Sequence, residues 1–245
     1  MAGHSKWANI KHRKARQDAS RGKVWTKVIR EITVAAKGGP DPNDNPRLRL
    51  ALDKANAANM PKDTIKRAIQ KGSGTGEMGV IEELTFEGYG PNGVAILVET
   101  MTDNRNRTVA EVRHAFSKAG GSLGTDGSVA YLFKKFGQII VNDSDEDKLL
   151  DLVISAGAED LEPGDNGRTI ITMNTENFSI VKGILDKESI EVEESEFVMN
   201  ASLSVELDLE SSEKVIKLLE NLDDLDDVQS VHSNAEFSDD IFKND

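Results

Sequence analysis

In this 245-residue chain the hydrophobic period changes at residues 71–79 (KGSGTGEMG), and the change separates two kinds of architecture. Upstream, apolar residues recur at steps of three and four, the spacing of one helix face. Val24, Val28, Ile32 and Ala35 or Ala36 form such a stripe, which stops at Gly38-Gly39-Pro40, a glycine terminator before a residue that cannot continue a helix. Asn45-Pro46 predicts the start of a second helix, with Leu48, Leu52, Ala55 and Ala51 inward. Pro61 predicts a third, with Ile65, Ala68 and Ile69 inward and Gly72 at its end. Short connections make these a three-helix bundle. The glycine-rich segment 71–79 itself reads as a flexible linker.

Downstream the pattern alternates between strands and helices. Residues 83–89 and 94–102 read as strands joined across Gly90-Pro91-Asn92-Gly93, followed by a helix over 107–119 and a turn at 124–127 into a strand over 128–133. A strand at 138–141, a helix at 145–157 and two strands split by a turn at 163–167 come next. A helix at 175–187 and a strand at 190–199 complete the order βαββαβ, the ferredoxin-like split βαβ. The tail adds a helix at 212–222 and a strand at 228–233, which together with 81–134 would complete a second sheet. The expected class is α+β: an N-terminal three-helix bundle plus two ferredoxin-like α/β domains, one inserted into the other. The boundaries expected are 1–21 for a basic arm, 22–79 for the helical domain with its linker, 80–134 plus 204–245 for a discontinuous middle domain, and 135–203 for the inserted domain.

Charge is segregated along the same lines. Residues 1–80 carry 17 Lys+Arg and 7 Asp+Glu, whereas residues 81–245 carry 13 and 36, so a net charge of −13 hides +10 against −23. Such asymmetry marks a polyanion-binding end on a solubilising body. The absence of Cys excludes disulfides, thiolate metal sites and a Cys nucleophile. No run approaches the roughly 20 apolar residues of a membrane helix, and the first thirty residues lack the apolar core of a secretory signal. A soluble, cytoplasmic protein is expected, without membrane contact or small-molecule substrate.

Two glycine motifs match catalytic or cofactor signatures as text only. Gly88-x-Gly90-x-x-Gly93 resembles a dinucleotide fingerprint, which needs a strand-to-helix turn, but it leads into a strand and reads as a hairpin. Gly120-Gly121-Ser122-Leu123-Gly124 resembles a nucleophile elbow, but it follows a helix instead of opening one. The acidic alternations at Asp41/Asn43/Asn45 and Asp143/Asp145/Asp147 lack the glycine and the bidentate Glu of a calcium loop and read as helix caps. His4, His12, His114 and His232 fall in no metal-ligand spacing and read as solvated. No cofactor, metal or catalytic residue is expected.

The positive signal is the arm, residues 3–16, where Lys6, Lys11, Arg13, Lys14 and Arg16 surround Trp7, with His12 between them. Lys and Arg attract phosphate, and Trp7 can stack on a base. Arg21, Lys23, Lys27 and Arg30 extend the surface, the last three along one helical face. Arg47 and Arg49 stand near the start of the second helix and Lys62, Lys66 and Arg67 along the third. A solvated cationic face with an unstructured tail, or a targeting peptide, are the alternatives. In the acidic body, Arg105 and Arg107 within Thr102-Asp-Asn-Arg-Asn-Arg-Thr108 mark either a capped turn or a second contact with RNA, DNA or protein.

Several long motifs stand in order: MAGHSKWANIKHRK, RGKxWxK, GGxDPxxNPRLR, NMPKDTIxRAI, FEGYGPNGVA, TDNRNRT and GGxLGxxGSV. Together they resemble the YebC family over most of the chain, most strongly over residues 1–133. The resemblance implies three domains, one helical and two α/β, with a cleft between. Family members are called probable transcriptional regulators that bind DNA; others are assigned to translation at the ribosome, with proline-rich stalls as target, and a mitochondrial relative activates translation of a cytochrome oxidase subunit. Trp25, Thr64, Asn200 and His232 depart from the residues usual there, namely Phe, Asn, Pro and Tyr. The expected function is a non-enzymatic nucleic-acid-binding regulator whose partner is DNA or ribosomal RNA, and through it the ribosome. A protein-interaction scaffold using the acidic α/β domains is the alternative.

Overall fold

The computed structural model describes residues 21–74, 81–142, 146–164 and 167–242. Three helices come first: α1 (Arg21–Ala35), α2 (Pro46–Ala57) and α3 (Lys62–Gly72). The turn before α2 is fixed by Asn45, whose side chain accepts from Leu48 N at 3.0 Å while its amide donates to Ala35 O and Gly39 O. One buried side chain thus caps α2 and ties it to the end of α1. Val28, Ile32, Ala35, Leu48, Ala51, Ala55 and Ala68 meet in a small core, mostly alanine, which brings the helices close but buries little apolar area. Val24, expected inward, is exposed; its neighbour Trp25 packs on the bundle core, with Nε1 donating to Ala58 O at 3.0 Å. Residues 71–72 belong to α3, and 75–80, most of the expected linker, lie outside the described residues.

The first α/β unit opens with a hairpin, β1 (Glu82–Tyr89) and β2 (Ala95–Thr102), in antiparallel register from Glu82↔Thr102 to Tyr89↔Ala95. Helix α4 (Arg105–Lys118) and the short β3 (Ser122–Leu123) follow, β3 pairing back onto Gly88 and Tyr89. The glycines of both look-alike motifs have steric roles. A Cβ on Gly88 would lie 2.7 Å from the Phe116 ring and from Ser122 O, and one on Gly121 would lie 2.5 Å from Tyr89 O. Gly120, at φ +78°, ends α4 in the left-handed region.

Residues 128–133 do not form the expected strand. Buried Glu87 accepts from Gly127 N, Val129 N and Ala130 N at 2.6, 2.7 and 2.6 Å, so these donors are turned onto a carboxylate and away from a neighbouring strand. The chain makes a 3₁₀ turn at Ala130–Leu132 and enters β4 (Phe133–Val141), which begins five residues earlier than expected.

β4 pairs with both β6 (Thr169–Asn174) and β7 (Val192–Ala201), and β5 (Ala158–Pro163) pairs with β6, all antiparallel. The order β5-β6-β4-β7 is that of the split βαβ, with α5 (Glu146–Ile154) and α6 (Phe178–Lys187) packed on Ile139, Ile171 and Met173. The chain then returns: β8 (Val205–Glu206), α7 (Leu209–Asp223), β9 (Val228–Ser233) and β10 (Ala235–Glu236). β9 adds to β2, giving the order β3-β1-β2-β9, and α7 packs beside α4 on Ile96, Val98 and Val231. The protein is therefore α+β, a helical bundle with two α/β units, one inserted into the other; the inserted unit is ferredoxin-like, whereas the outer one, which opens with the β1–β2 hairpin and has the order β3-β1-β2-β9, is not the expected split βαβ. The helical unit touches both: Leu50 reaches the core of the inserted unit, and Val34 packs with Ile81 and Met101.

Candidate nucleic-acid interface

Of the expected nucleic-acid-binding residues, Lys6, Trp7, Lys11, His12, Arg13, Lys14 and Arg16 lie outside the described residues. Arg21 opens α1. The others divide into three groups.

Lys23, Lys27 and Arg30 form the expected stripe on α1, and all three face the acidic turn 223–227 between α7 and β9. Lys23 Nζ lies 3.2 Å from Asp224 Oδ1 and donates to Asp224 O at 3.3 Å. Lys27 Nζ lies 3.2 Å from Asp223 Oδ1 and donates to Asp223 O at 3.0 Å. Arg30 contacts Asp227 Oδ1 at 2.7 Å and donates to Asp226 O. The turn sits at the C-terminal end of α7, where unsatisfied carbonyls already favour cations.

Asp227 is the hub. Its side chain is 1% exposed and also receives Arg107 (2.7 Å), Thr108 Oγ1 (2.7 Å) and Thr102 Oγ1 (3.0 Å). Burial would raise this carboxyl, but hydrogen bonds from Arg107, Thr108 and Thr102, with the charge of Arg30, hold it below its ordinary value. The Thr102–Thr108 motif therefore converges on one carboxylate, while Asn104 caps α4 by accepting from Arg107 N at 3.1 Å. Arg107 is committed to this cluster. Arg105 points elsewhere, 3.9 Å from Glu82.

In the second group Arg47 reaches across to the α/β body in a two-pronged pair with Glu83 on β1, and Arg49 stays local, donating to Pro42 O and Asn43 O. The third group is outward-facing: Lys62, Lys66 and Arg67 are exposed along α3, Arg67 donating to Asp63 O within its own helix. All three side chains are open to solvent.

Sequence reasoning does not single out the acidic turn, although a signal for it exists: Asp223-Asp-Leu-Asp-Asp227 offers negative charges at the close spacing with which Lys23, Lys27 and Arg30 offer positive ones. His232 is a second difference. It is buried, 5% exposed, with Nε2 3.1 Å from Glu99 Oε2, because β9 places it beside Glu99 on the sheet face that carries Leu97. Ser230 donates directly to the same carboxylate oxygen at 2.5 Å. The ring does not stand between serine and carboxylate, so the trio lacks the geometry of a nucleophile relay. His114 is exposed on α4, as expected. Among the described residues no group of three His, Asp or Glu could hold a metal ion, and no helix is long and apolar enough to cross a membrane.

The architecture defines a class: three-unit α+β proteins in which a cationic helical bundle docks onto an acidic, nested α/β body. Two family descriptions match, "TACO1/YebC protein N-terminal domain" over residues 5–75 and "TACO1/YebC second and third domain" over residues 81–235. The chain belongs to the TACO1/YebC family. It is 58% identical to a Methylococcus capsulatus protein named "Probable transcriptional regulatory protein", covering 98% of both chains. A Pseudomonas putida protein of the same name is also 58% identical, over 100% of this chain and 99% of its own. The crystal structure of a conserved hypothetical protein from Aquifex aeolicus aligns with a TM-score of 0.83 at 47% identity, over 91% of this chain and 93% of that one.

Proposed function

We propose that this chain is a non-enzymatic nucleic-acid-binding regulator of gene expression that works in the cytoplasm and grips phosphates through its basic arm and helical unit. The observation that carries this reading is the split of charge, +10 over residues 1–80 against −23 over 81–245. The exposed row Lys62, Lys66 and Arg67 on α3 supports it. So does the shared name of the relatives, which speaks of transcriptional regulation. The acidic body repels a polyanion everywhere else and so orients the protein on its target.

Charge attracts duplex DNA and ribosomal RNA alike. The sequence carries neither a dimerisation zipper nor an aromatic RNA-binding stretch, which favours a shape-driven contact with structured RNA over base readout. On that version the protein is a ribosome-associated translation factor acting at proline-rich stalls. Co-sedimentation with ribosomes, against capture on chromosomal DNA, separates the two versions. A salt titration tests phosphate binding itself: six phosphates neutralised on duplex give a log–log slope of about −5, and K62A/K66A/R67A makes it shallower by roughly 0.9 for each phosphate no longer neutralised. Absence of affinity for any RNA or DNA at low salt refutes the proposal.

A second reading, a protein-interaction scaffold, rests on Leu150, Ile154 and Ile180, large apolar side chains exposed on α5 and α6 of the inserted unit. Deleting residues 1–21 distinguishes it, since a scaffold keeps its partners and a nucleic-acid binder loses most of its affinity.

A further inference from the structure

Lys23, Lys27 and Arg30 have the spacing of a phosphate-binding stripe, yet each already holds an anion belonging to the same chain. We infer that the acidic turn 223–227 is an internal phosphate mimic. It occupies the cationic face of α1, and a polyanion reaches that face only when the helical unit lifts off the α/β body. The inference rests on the nucleic-acid reading above and adds a closed, low-affinity state to it.

Three observations carry it. First, the contacts are of the kind a sugar–phosphate backbone would make. Over about 10 Å of helix, the length of seven residues, each cation meets both a carboxylate and a backbone carbonyl of the turn. A lysine ammonium treats carboxylate and phosphate oxygens alike, so the two anions compete for the same donors. Arg30 cannot serve both, because its partner Asp227 is enclosed by Arg107, Thr102 and Thr108.

Second, the seam is solvated at one end, while Arg30 and Asp227 are buried at the other. The Lys23–Asp224 pair is solvated, with side chains 52% and 70% exposed, and exposed pairs contribute little and weaken in salt. A small cleft lined by Lys23, Thr26, Lys27, Asp224, Leu225 and Asp226 lies on the seam. Among the described residues the helical unit is also held to the body by the small cluster of Val34, Ile81 and Met101, by Leu50 against the inserted unit, and by the Arg47–Glu83 and Lys182–Asp53 pairs, and lifting off breaks these as well.

Third, the stripe continues a longer basic sequence. Residues 1–30 contain nine Lys+Arg and one acid, so the positive charge that attracts a polyanion runs along the sequence directly into the stripe. Its apparent affinity is the intrinsic affinity scaled by the fraction of molecules that are open.

The test uses the full chain, with a 20-base-pair DNA duplex and a 20-nucleotide hairpin RNA as probes in fluorescence anisotropy at fixed low salt. D223N/D224N removes two charges from the turn and spares Asp227. E210Q/E213Q removes the same charge from the other end of α7 and serves as the control. The turn variant is expected to bind about tenfold tighter, the equivalent of about 1.4 kcal/mol, and the control at most about twofold tighter. The chain has no native Cys, so T26C/D226C can be joined across the seam by a cleavable bismaleimide. Closing this link is expected to abolish the gain of the turn variant, and cleaving it to restore the gain. Equal gains in the turn variant and the control overturn the inference and leave the nucleic-acid reading standing, as does a gain that survives the link. Failure of every variant to bind either probe overturns the reading, and the inference with it.

Discussion

Asp227→Asn removes one negative charge from a side chain that is 1% exposed and keeps its shape. Arg30 and Arg107 then face an amide in place of a carboxylate, at distances of 2.7 Å in the wild type. Removing one partner of a buried ion pair costs about 3–5 kcal/mol. Water can reach the guanidinium of Arg107, whose side chain is 43% exposed, and this lowers the expected loss to about 3 kcal/mol at neutral pH. Thr102 and Thr108 can still donate to the amide oxygen, but the NH2 then replaces Oδ1 opposite Arg30, so the loss combines the charge with that acceptor. Equilibrium urea unfolding measures it, and hydrogen exchange should show α1 losing protection first. The pH dependence has a definite sign. Asp227 is held below its ordinary value of 3.8, so its contribution is full above that value and is lost as pH falls through the folded one. The gap between wild type and variant should hold constant down to about pH 5 and close in more acid solution. A gap under about 1 kcal/mol at neutral pH, or one that persists in acid, would refute the reasoning.

Gly88→Ala places a methyl 2.7 Å from the Phe116 ring and Ser122 O, and should destabilise by about 2 kcal/mol in urea unfolding; a neutral result would show that β3 and α4 shift freely. Asn45→Ala removes the cap of α2 and its bonds to Ala35 O and Gly39 O, an expected loss of about 1–2 kcal/mol, with faster amide exchange at Leu48 as the local readout. Glu99, held at about 2 by hydrogen bonds from His232 and Ser230 that outweigh burial, should stay ionised through mild acid, so its stabilisation is lost only as pH falls towards about 2. NMR titration of its carboxyl checks this, and a midpoint near the ordinary 4.5 would show that the His232 contact does not form in solution.

The elements legible in the sequence are those decided over a few residues. Asn45-Pro46 announces a helix start because a cap is a bond between positions three apart, and Gly120 announces a helix end because a left-handed φ strains any residue with a Cβ. The split βαβ can be read from the order of periods, since strands and helices differ in the spacing of their apolar residues. The segment 128–133 looks locally like a strand and is not one, because its fate depends on Glu87, some forty residues earlier, taking its backbone donors. His232 departs from its expected solvation for the same kind of reason. Its burial depends on β9 pairing with β2 across the whole inserted unit.

The candidate interface shows the same division. From its sequence alone this protein is a helical bundle rich in positive charge, joined to a nested α/β body rich in negative charge, because period and charge are properties of the residues themselves. Which anion each cation holds was decided only by the tertiary structure. Arg30 and its carbonyl partner Asp226 are 196 residues apart, and Arg107 and Asp227 are 120 apart. A Lys or Arg requires only a nearby negative oxygen, so its identity in the chain predicts that an anion will be bound; the folded backbone determines whether that anion is a carboxylate of the same molecule or is left to a partner.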